Sequence, residues 1–149
     1  MWTVFWLINK NGNAQKAKVV YYTTDGKRTK YFKVPYKNKD GYYSCLFGEH
    51  LLNDNTKPII LVESEKTALV ASMVFLNYTW LAYGGMNGLT NDKIKVLAGE
   101  TIIIIPDRSS KAVKIMRDKM PSFQELNIDA RILDMTGGLS DDELETKGW

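Results

Sequence analysis

Apolar and polar positions follow two different rhythms along this chain. Over the first 47 residues, short runs rich in β-branched and aromatic side chains fall at 3–8, 18–22, 29–34 and 42–47. Asn11-Gly12-Asn13, Asp25-Gly26 and Asp40-Gly41 separate them. Asp-Gly between such runs signals a hairpin, so the segment predicts a small antiparallel β meander. Pro35 confines its strand to an edge or a strand end. Residues 47–52 read as a short helical turn and 53–58 as a polar connector.

From residue 59 the rhythm becomes strand, helix, strand. Strands are expected at 59–62, 79–83, 101–105 and 129–135. A helix over 64–76 is apolar on nearly every face and is expected to be deeply buried. A second helix is expected at 91–97, opened by Thr90 or Asn91 and closed by Gly99. A third, at 111–120, repeats Ala112, Ile115/Met116 and Met120 and is expected to stop at Pro121. This alternation argues an α/β fold with a four-stranded parallel sheet flanked by helices and joined by right-handed crossovers. The expected organisation is an antiparallel β subdomain over 1–56 and an α/β domain over 57–149. Ser140-Asp-Asp-Glu143 is a capping-box pattern. The chain reaches Trp149 before that helix has run far, so truncation at the C-terminus is expected.

Composition narrows the classes. No apolar run approaches the roughly 20 residues of a membrane span, and the N-terminus lacks the pattern of a secretory signal. One cysteine, Cys45, and one histidine, His50, exclude an internal disulfide and a Cys/His zinc site. A cytoplasmic location is expected. Cys45, Met73, Met86, Met116, Met120, Trp2, Trp6 and Trp80 read as packing residues.

Charge is asymmetric. Residues 1–58 hold ten Lys/Arg against four Asp/Glu, whereas 59–149 hold ten against thirteen. The basic excess is interleaved with aromatics around Lys27, Arg28, Lys30, Tyr31 and Lys33. Cations beside aromatic faces suit a nucleic-acid backbone and unpaired bases. A solvated strand face with tyrosine packed beneath is the other reading of the same residues.

The candidate chemistry lies where two strands end. Ile59–Val62 runs straight into Glu63, and Thr101–Ile105 is followed by Pro106 and Asp107. Two carboxylates at the carboxyl ends of neighbouring parallel strands would share the rim on which open α/β sheets place their ligands. Ser64, Lys66 and Thr67 follow the first, and Arg108, Ser109, Ser110 and Lys111 follow the second. A metal-binding carboxylate with a second acting as acid or base suits phosphodiester chemistry. Alternatively, Glu63 caps or pairs with a cation, and Asp107 caps the helix that follows it.

V-E-S-E-K-T-A, a Gly-Gly turn and I-I-I-I-P-D together resemble the topoisomerase-primase (Toprim) family over about residues 57–135. W-L-I-N-K-N-G, Y-Y-T-T-D-G-K-R and C-L-F-G-E-H-L-L resemble the region preceding this domain in primase-like proteins of bacterial plasmids and conjugative elements. The resemblance implies a Toprim-like, Rossmann-like sheet. It implies Glu63 as general acid or base, Asp107 as a ligand of Mg²⁺ or Mn²⁺, and Gly84 and Gly85 as the turn by which backbone approaches the site. By their residue types Ser64, Lys66, Thr67, Arg108, Ser109 and Lys111 are expected phosphate contacts, and the basic aromatic meander points to single-stranded DNA, with other replication proteins as further expected partners. One departure stands out. The second aspartate of the family's Asp-x-Asp pair is here Ser109, a loss of one negative ligand.

The preferred reading is a primase-like, Mg²⁺-dependent phosphoryl or nucleotidyl transferase, or a nuclease, acting in replication or mobilisation of a mobile element. A non-catalytic nucleic-acid-binding or assembly module is the second reading, supported by Ser109. A flavodoxin- or Rossmann-like domain for a small nucleotide is the third, weakened by the lack of a full glycine fingerprint.

Overall fold

The fold is seen in a computed structural model that describes residues 1–148. Trp149, on which the expected truncation was partly argued, lies outside the described residues. The chain divides into two compact units, Met1–Asp54 and the remainder from Asn55 onward.

In the first unit, β1 (Trp2–Ile8), β2 (Ala14–Tyr22) and β3 (Arg28–Lys33) form an antiparallel sheet in that order. The Asp25-Gly26 hairpin closes with the Thr23 N–H donating to Lys27 O at 2.9 Å and the Gly26 N–H to Thr23 O at 3.0 Å. Period-two alternation sends Phe5 and Leu7 inward. Phe5 joins Val20, Tyr22 and Phe47 in a small core. The same alternation sends Trp2, Val4 and Trp6 to the other face, where Trp2 and Trp6 pack at the surface against the rings of Tyr21 and Tyr36 and stay 52% and 46% exposed. Trp80, in contrast, is buried.

The expected fourth strand at 42–47 is absent, apart from an isolated bridge at Phe47. Cys45 and Leu46 are both buried, and neither takes part in a strand ladder. A carboxylate organises this segment instead. Glu49 is buried in a 3₁₀ turn, Glu49–Leu52, and accepts the Lys10 N–H at Oε1 and the Leu46 N–H at Oε2, each at 3.0 Å.

In the second unit, β4 (Ile59–Val62), β5 (Thr79–Ala82), β6 (Thr101–Ile105) and β7 (Asp129–Ile132) are all parallel, in the order β5-β4-β6-β7. Every residue of β4 and β5 is buried, as expected of a sheet covered on both faces. The helices are α1 (Glu65–Val74), α2 (Asn91–Lys95), α3 (Ser110–Glu125) and α4 (Asp141–Thr146).

Two expectations about helices fail. The first concerns α1, which is not deeply buried. Only Glu65 and Ala68 are covered, while Leu69, Val70, Met73, Val74 and the following Phe75 and Leu76 are exposed. A helix laid on a sheet buries a single stripe, and no second layer of this unit covers the outer side. The second concerns α3, which runs through Pro121 to Glu125. Proline removes a backbone donor and costs about 3 kcal/mol in a helix interior. Here the apolar stripe of Ala112, Val113 and Met116 extends to a fully buried Phe123, and that burial keeps the last turn helical. The capping box of α4 forms as expected, with the Ser140 N–H donating to Glu143 Oε2 at 2.8 Å. No helix among the described residues is long and apolar enough to cross a membrane.

Candidate functional site

The register of the parallel sheet brings three side chains to one edge. β4 pairs with β6 so that Val62 faces Ile105, and with β5 so that Val62 faces Ala82. Glu63 therefore leaves the sheet between Tyr83, which follows β5, and Asp107, which follows β6 beyond Pro106. The Tyr83 N–H donates to Val62 O at 3.0 Å, extending the ladder one step past the strand.

The side chain of Tyr83 is 1% exposed, and its hydroxyl is enclosed without a hydrogen-bond partner. Burial, then the charge of Glu63, then that of Asp107 push its phenol far above the usual tyrosine range. The hydroxyl thus keeps its proton and lies within the field of both carboxylates. Asp107 is exposed by accessible area, yet the protein around its carboxyl excludes enough water to raise its pKa. Glu63 is half-buried.

The Gly84-Gly85 turn is built against Glu63. Both amides donate to the Glu63 carbonyl, at 2.8 and 3.2 Å, so they hold the strand end in place. Gly84 has φ of +87°, and a Cβ there would stand 3.2 Å from Glu65 Oε1. Left-handed backbone and close packing both require glycine at this position. Beneath the turn lie two charged residues that sequence reasoning missed, Glu65 and Lys93, both buried. Lys93 Nζ donates to Tyr83 O at 2.8 Å and so anchors the residue that carries the enclosed hydroxyl. A lysine beside Ile94 on the inward face of α2 was the available signal.

The remaining site residues are distributed around this edge. Ser64 is the N-cap of α1 without a side-chain capping bond, and Lys66 and Thr67 are exposed on its first turn. Lys66 and Thr67 also border a shallow groove with Val70, Ala71, Val74 and Phe75. Arg108 and Lys111 are exposed on either side of the start of α3.

Ser109, and not Asp107, caps α3, with its Oγ accepting the Ala112 N–H at 3.3 Å. The same hydroxyl donates to Asp141 Oδ2 at 3.3 Å, and the Ser110 N–H donates to Asp141 Oδ1 at 2.6 Å. Asp141, from α4, therefore places a carboxylate beside Ser109 at the start of α3. Its placement is a tertiary event with no local signature.

Among the described residues, no three His, Cys, Asp or Glu side chains gather closely enough to hold a metal by themselves. A donor set of two carboxylates still fits Mg²⁺, which keeps several of its waters and takes one or two carboxylates from the protein.

In the first unit, Lys27, Arg28, Lys30, Tyr31 and Lys33 are all exposed. Tyr31 does not pack beneath the strand, and with Phe32 it stands open to solvent. Cations sit over rings, Arg28 at 5.7 Å from the centroid of Phe32, Lys30 at 5.6 Å from Tyr31, and Lys33 at 5.9 Å from Trp2.

The antiparallel sheet and the four-stranded parallel sheet are elements of a primase-type Toprim fold, and solved structures share it. The Aquifex aeolicus primase (zinc-binding and RNA polymerase domains) matches at a TM-score of 0.68 and 15% identity, over 97% of this chain and 36% of that one. The primase fragment of the bacteriophage T7 primase-helicase protein matches at 0.61 and 21%, over 99% and 58%. T7 primase domains bound to an RNA/DNA hybrid match at 0.61 and 22%, over 99% and 72%. At these identities the likeness is one of fold. The chain spans about a third to somewhat over half the length of the first two. No curated protein matches the chain. By its sequence, the chain belongs to the family described as a domain of unknown function, DUF6371, whose model matches residues 1–108.

Proposed function

We propose that this chain is a primase-like Toprim module that acts on nucleic acid with a divalent cation, in the replication or mobilisation of a mobile element. What supports the reading is that Glu63 and Asp107 follow the adjoining strands β4 and β6, both within electrostatic reach of the enclosed Tyr83 hydroxyl. Asp107 would hold Mg²⁺ or Mn²⁺ largely through water. The ion would supply positive charge for a phosphate and for the charge that develops on it. Glu63 would take or return the proton of the attacking or leaving oxygen. Ser64, Lys66, Thr67, Arg108 and Lys111 supply hydroxyls and cations for the phosphate backbone, and the Gly84-Gly85 turn shapes the rim. On the first unit, exposed Tyr31, Phe32 and Trp2 with Arg28, Lys30 and Lys33 offer rings and charges for a single strand. T7 primase domains, which share the fold, have been solved with an RNA/DNA hybrid.

A second reading, binding without turnover, is favoured by one observation. The Ser109 hydroxyl is already used by the α3 cap and by Asp141.

Thermal-shift titration with Mg²⁺ and Mn²⁺, beside a template-dependent synthesis and cleavage assay, separates the two. The ion should stabilise the wild type, and Asp107→Ala should lose that response. Glu63→Gln should keep the fold and lose turnover by about 100-fold or more. Oligonucleotide binding that ignores EDTA, with no turnover, would establish the binding module.

A further inference from the structure

The outer side of α1 is apolar where a solvated helix would be polar. Leu69, Val70, Met73, Val74, Phe75 and Leu76 are each between 45% and 73% exposed. Together they leave roughly 600 Å² of apolar surface open, the upper limit of what a soluble monomer usually exposes. From Thr67 to Asn91 the chain carries no charged residue. The nearby cations stand at the two ends of the face, Lys66 on the first turn and Lys57 bonded through Nζ to the Leu76 carbonyl at 2.7 Å. Residues 59–149 carry an acidic excess, ten Lys/Arg against thirteen Asp/Glu, which disfavours an anionic lipid or a nucleic acid as the cover for this face.

The relief of the face points to its occupant. Side chains four residues apart form rows along a helix, and rows of one helix pack into the grooves of another. Leu69 and Met73 form one such row, and Met73 is the most exposed residue of the face. Beside it, Lys66, Val70 and Val74 with Thr67, Ala71 and Phe75 border a groove, in which Ala71 is the small residue. A ridge and a groove on adjacent rows of one helix are self-complementary. About a twofold axis, the ridge of each copy enters the groove of the other. Two copies would then cover about 1,200 Å² in all, which reaches the range of specific, stable interfaces.

We propose that the outer face of α1 is a self-association surface on which a second copy of this chain packs as a twofold pair. Leu69 and Met73 of each copy enter the groove that Val70, Ala71 and Val74 form on the other. Neither Glu63 nor Asp107 takes part, so pairing stands or falls apart from the activity proposed above.

Sedimentation velocity from about 1 to about 500 µM should show the wild type passing from one chain to two, with or without Mg²⁺. Met73→Lys alone and Val74→Glu alone should each weaken pairing about 10-fold or more, because each sets an uncompensated charge into an apolar contact. Both residues are exposed in the single chain, so both variants should keep the wild-type circular dichroism. An equimolar mixture of the two variants should pair more tightly than either variant by itself. The new cation on the ridge of one copy then meets the new carboxylate in the groove of the other. A variant that merely misfolds cannot be rescued in this way. Gln124→Lys, at an exposed position of α3, should pair as the wild type does. A wild type that stays single at the highest concentration overturns the proposal. So does pairing that survives both substitutions, or a mixture no better than its components. A single chain that binds phosphatidylcholine vesicles, and loses that binding in Met73→Lys, would assign the face to a lipid surface and overturn it as well.

Discussion

Single residues hold this molecule together where regular pairing stops. Glu49 is the clearest case, a buried carboxylate that satisfies the backbone N–H groups of Lys10 and Leu46 across a segment that forms no strand. Truncating it leaves two donors without an acceptor, each worth about 1–3 kcal/mol. Glu49→Ala should therefore lower stability by about 2–4 kcal/mol in urea titration of the chain. Gly88 is a steric case. A Cβ at that position would collide with the Tyr83 carbonyl and would stand 3.0 Å from the Gly85 carbonyl oxygen. Both neighbours are backbone and cannot step aside. Gly88→Ala should cost about 1–3 kcal/mol by the same measurement. It should also weaken ion-induced stabilisation, since the turn it distorts is bonded to the Glu63 carbonyl.

Elements show where hydrophobic pattern and tertiary context part company. Strands β4 and β6 were legible to the residue, because a short, almost wholly apolar run bounded by proline and charged residues has few other solutions. Helix α1 was legible as a helix but not in its burial. An all-round apolar pattern says that a helix wants cover, and only the surrounding elements say whether it receives it. Met73→Lys and Val74→Glu should each change stability by no more than about 0.5 kcal/mol. Ala68→Leu, at the buried stripe one turn earlier, should cost about 1–3 kcal/mol. Circular dichroism during urea unfolding distinguishes the two outcomes. Helix α3 erred the other way. Pro121 is a valid local stop signal, overridden by the burial of Phe123, which lies beyond it.

At the scale of the whole molecule, the far end of the chain is tied back by carboxylates. The Ser110 N–H holds the Asp141 carboxyl below its ordinary pKa, with the Ser109 and Ser110 side chains helping. Thr136, through its hydroxyl and then its N–H, does the same for Asp134, with Arg117 at 3.0 Å adding its charge. The backbone and side chain of Ser140 lower Glu143 in the capping box. In each case the folded pKa lies below the unfolded one. The unfolded chain thus binds more protons as the medium acidifies. The stabilisation is fully present above the unfolded carboxylate range and is lost as pH falls through the folded values. Protection of the amides of Ser110 and α4, measured relative to intrinsic exchange at each pH, should fall below about pH 4. Asp141→Asn should flatten that pH dependence at Ser110 while leaving exchange in β4 unchanged.

The order of strands and helices from residue 59 onward, the two carboxylates and the basic character of the first 58 residues were all determined by the sequence alone. Each depends on local composition and on periods of two or 3.6 residues. Tertiary structure alone decided that Glu63 would lie between Tyr83 and Asp107, and that Glu65 and Lys93 would be buried under the glycine turn. It alone decided that Asp141 would meet Ser109 from 32 residues away. These meetings depend on which strands become neighbours and in what register. A sequence period describes the face on which a side chain lies, and it contains no information about what another part of the chain will set against that face.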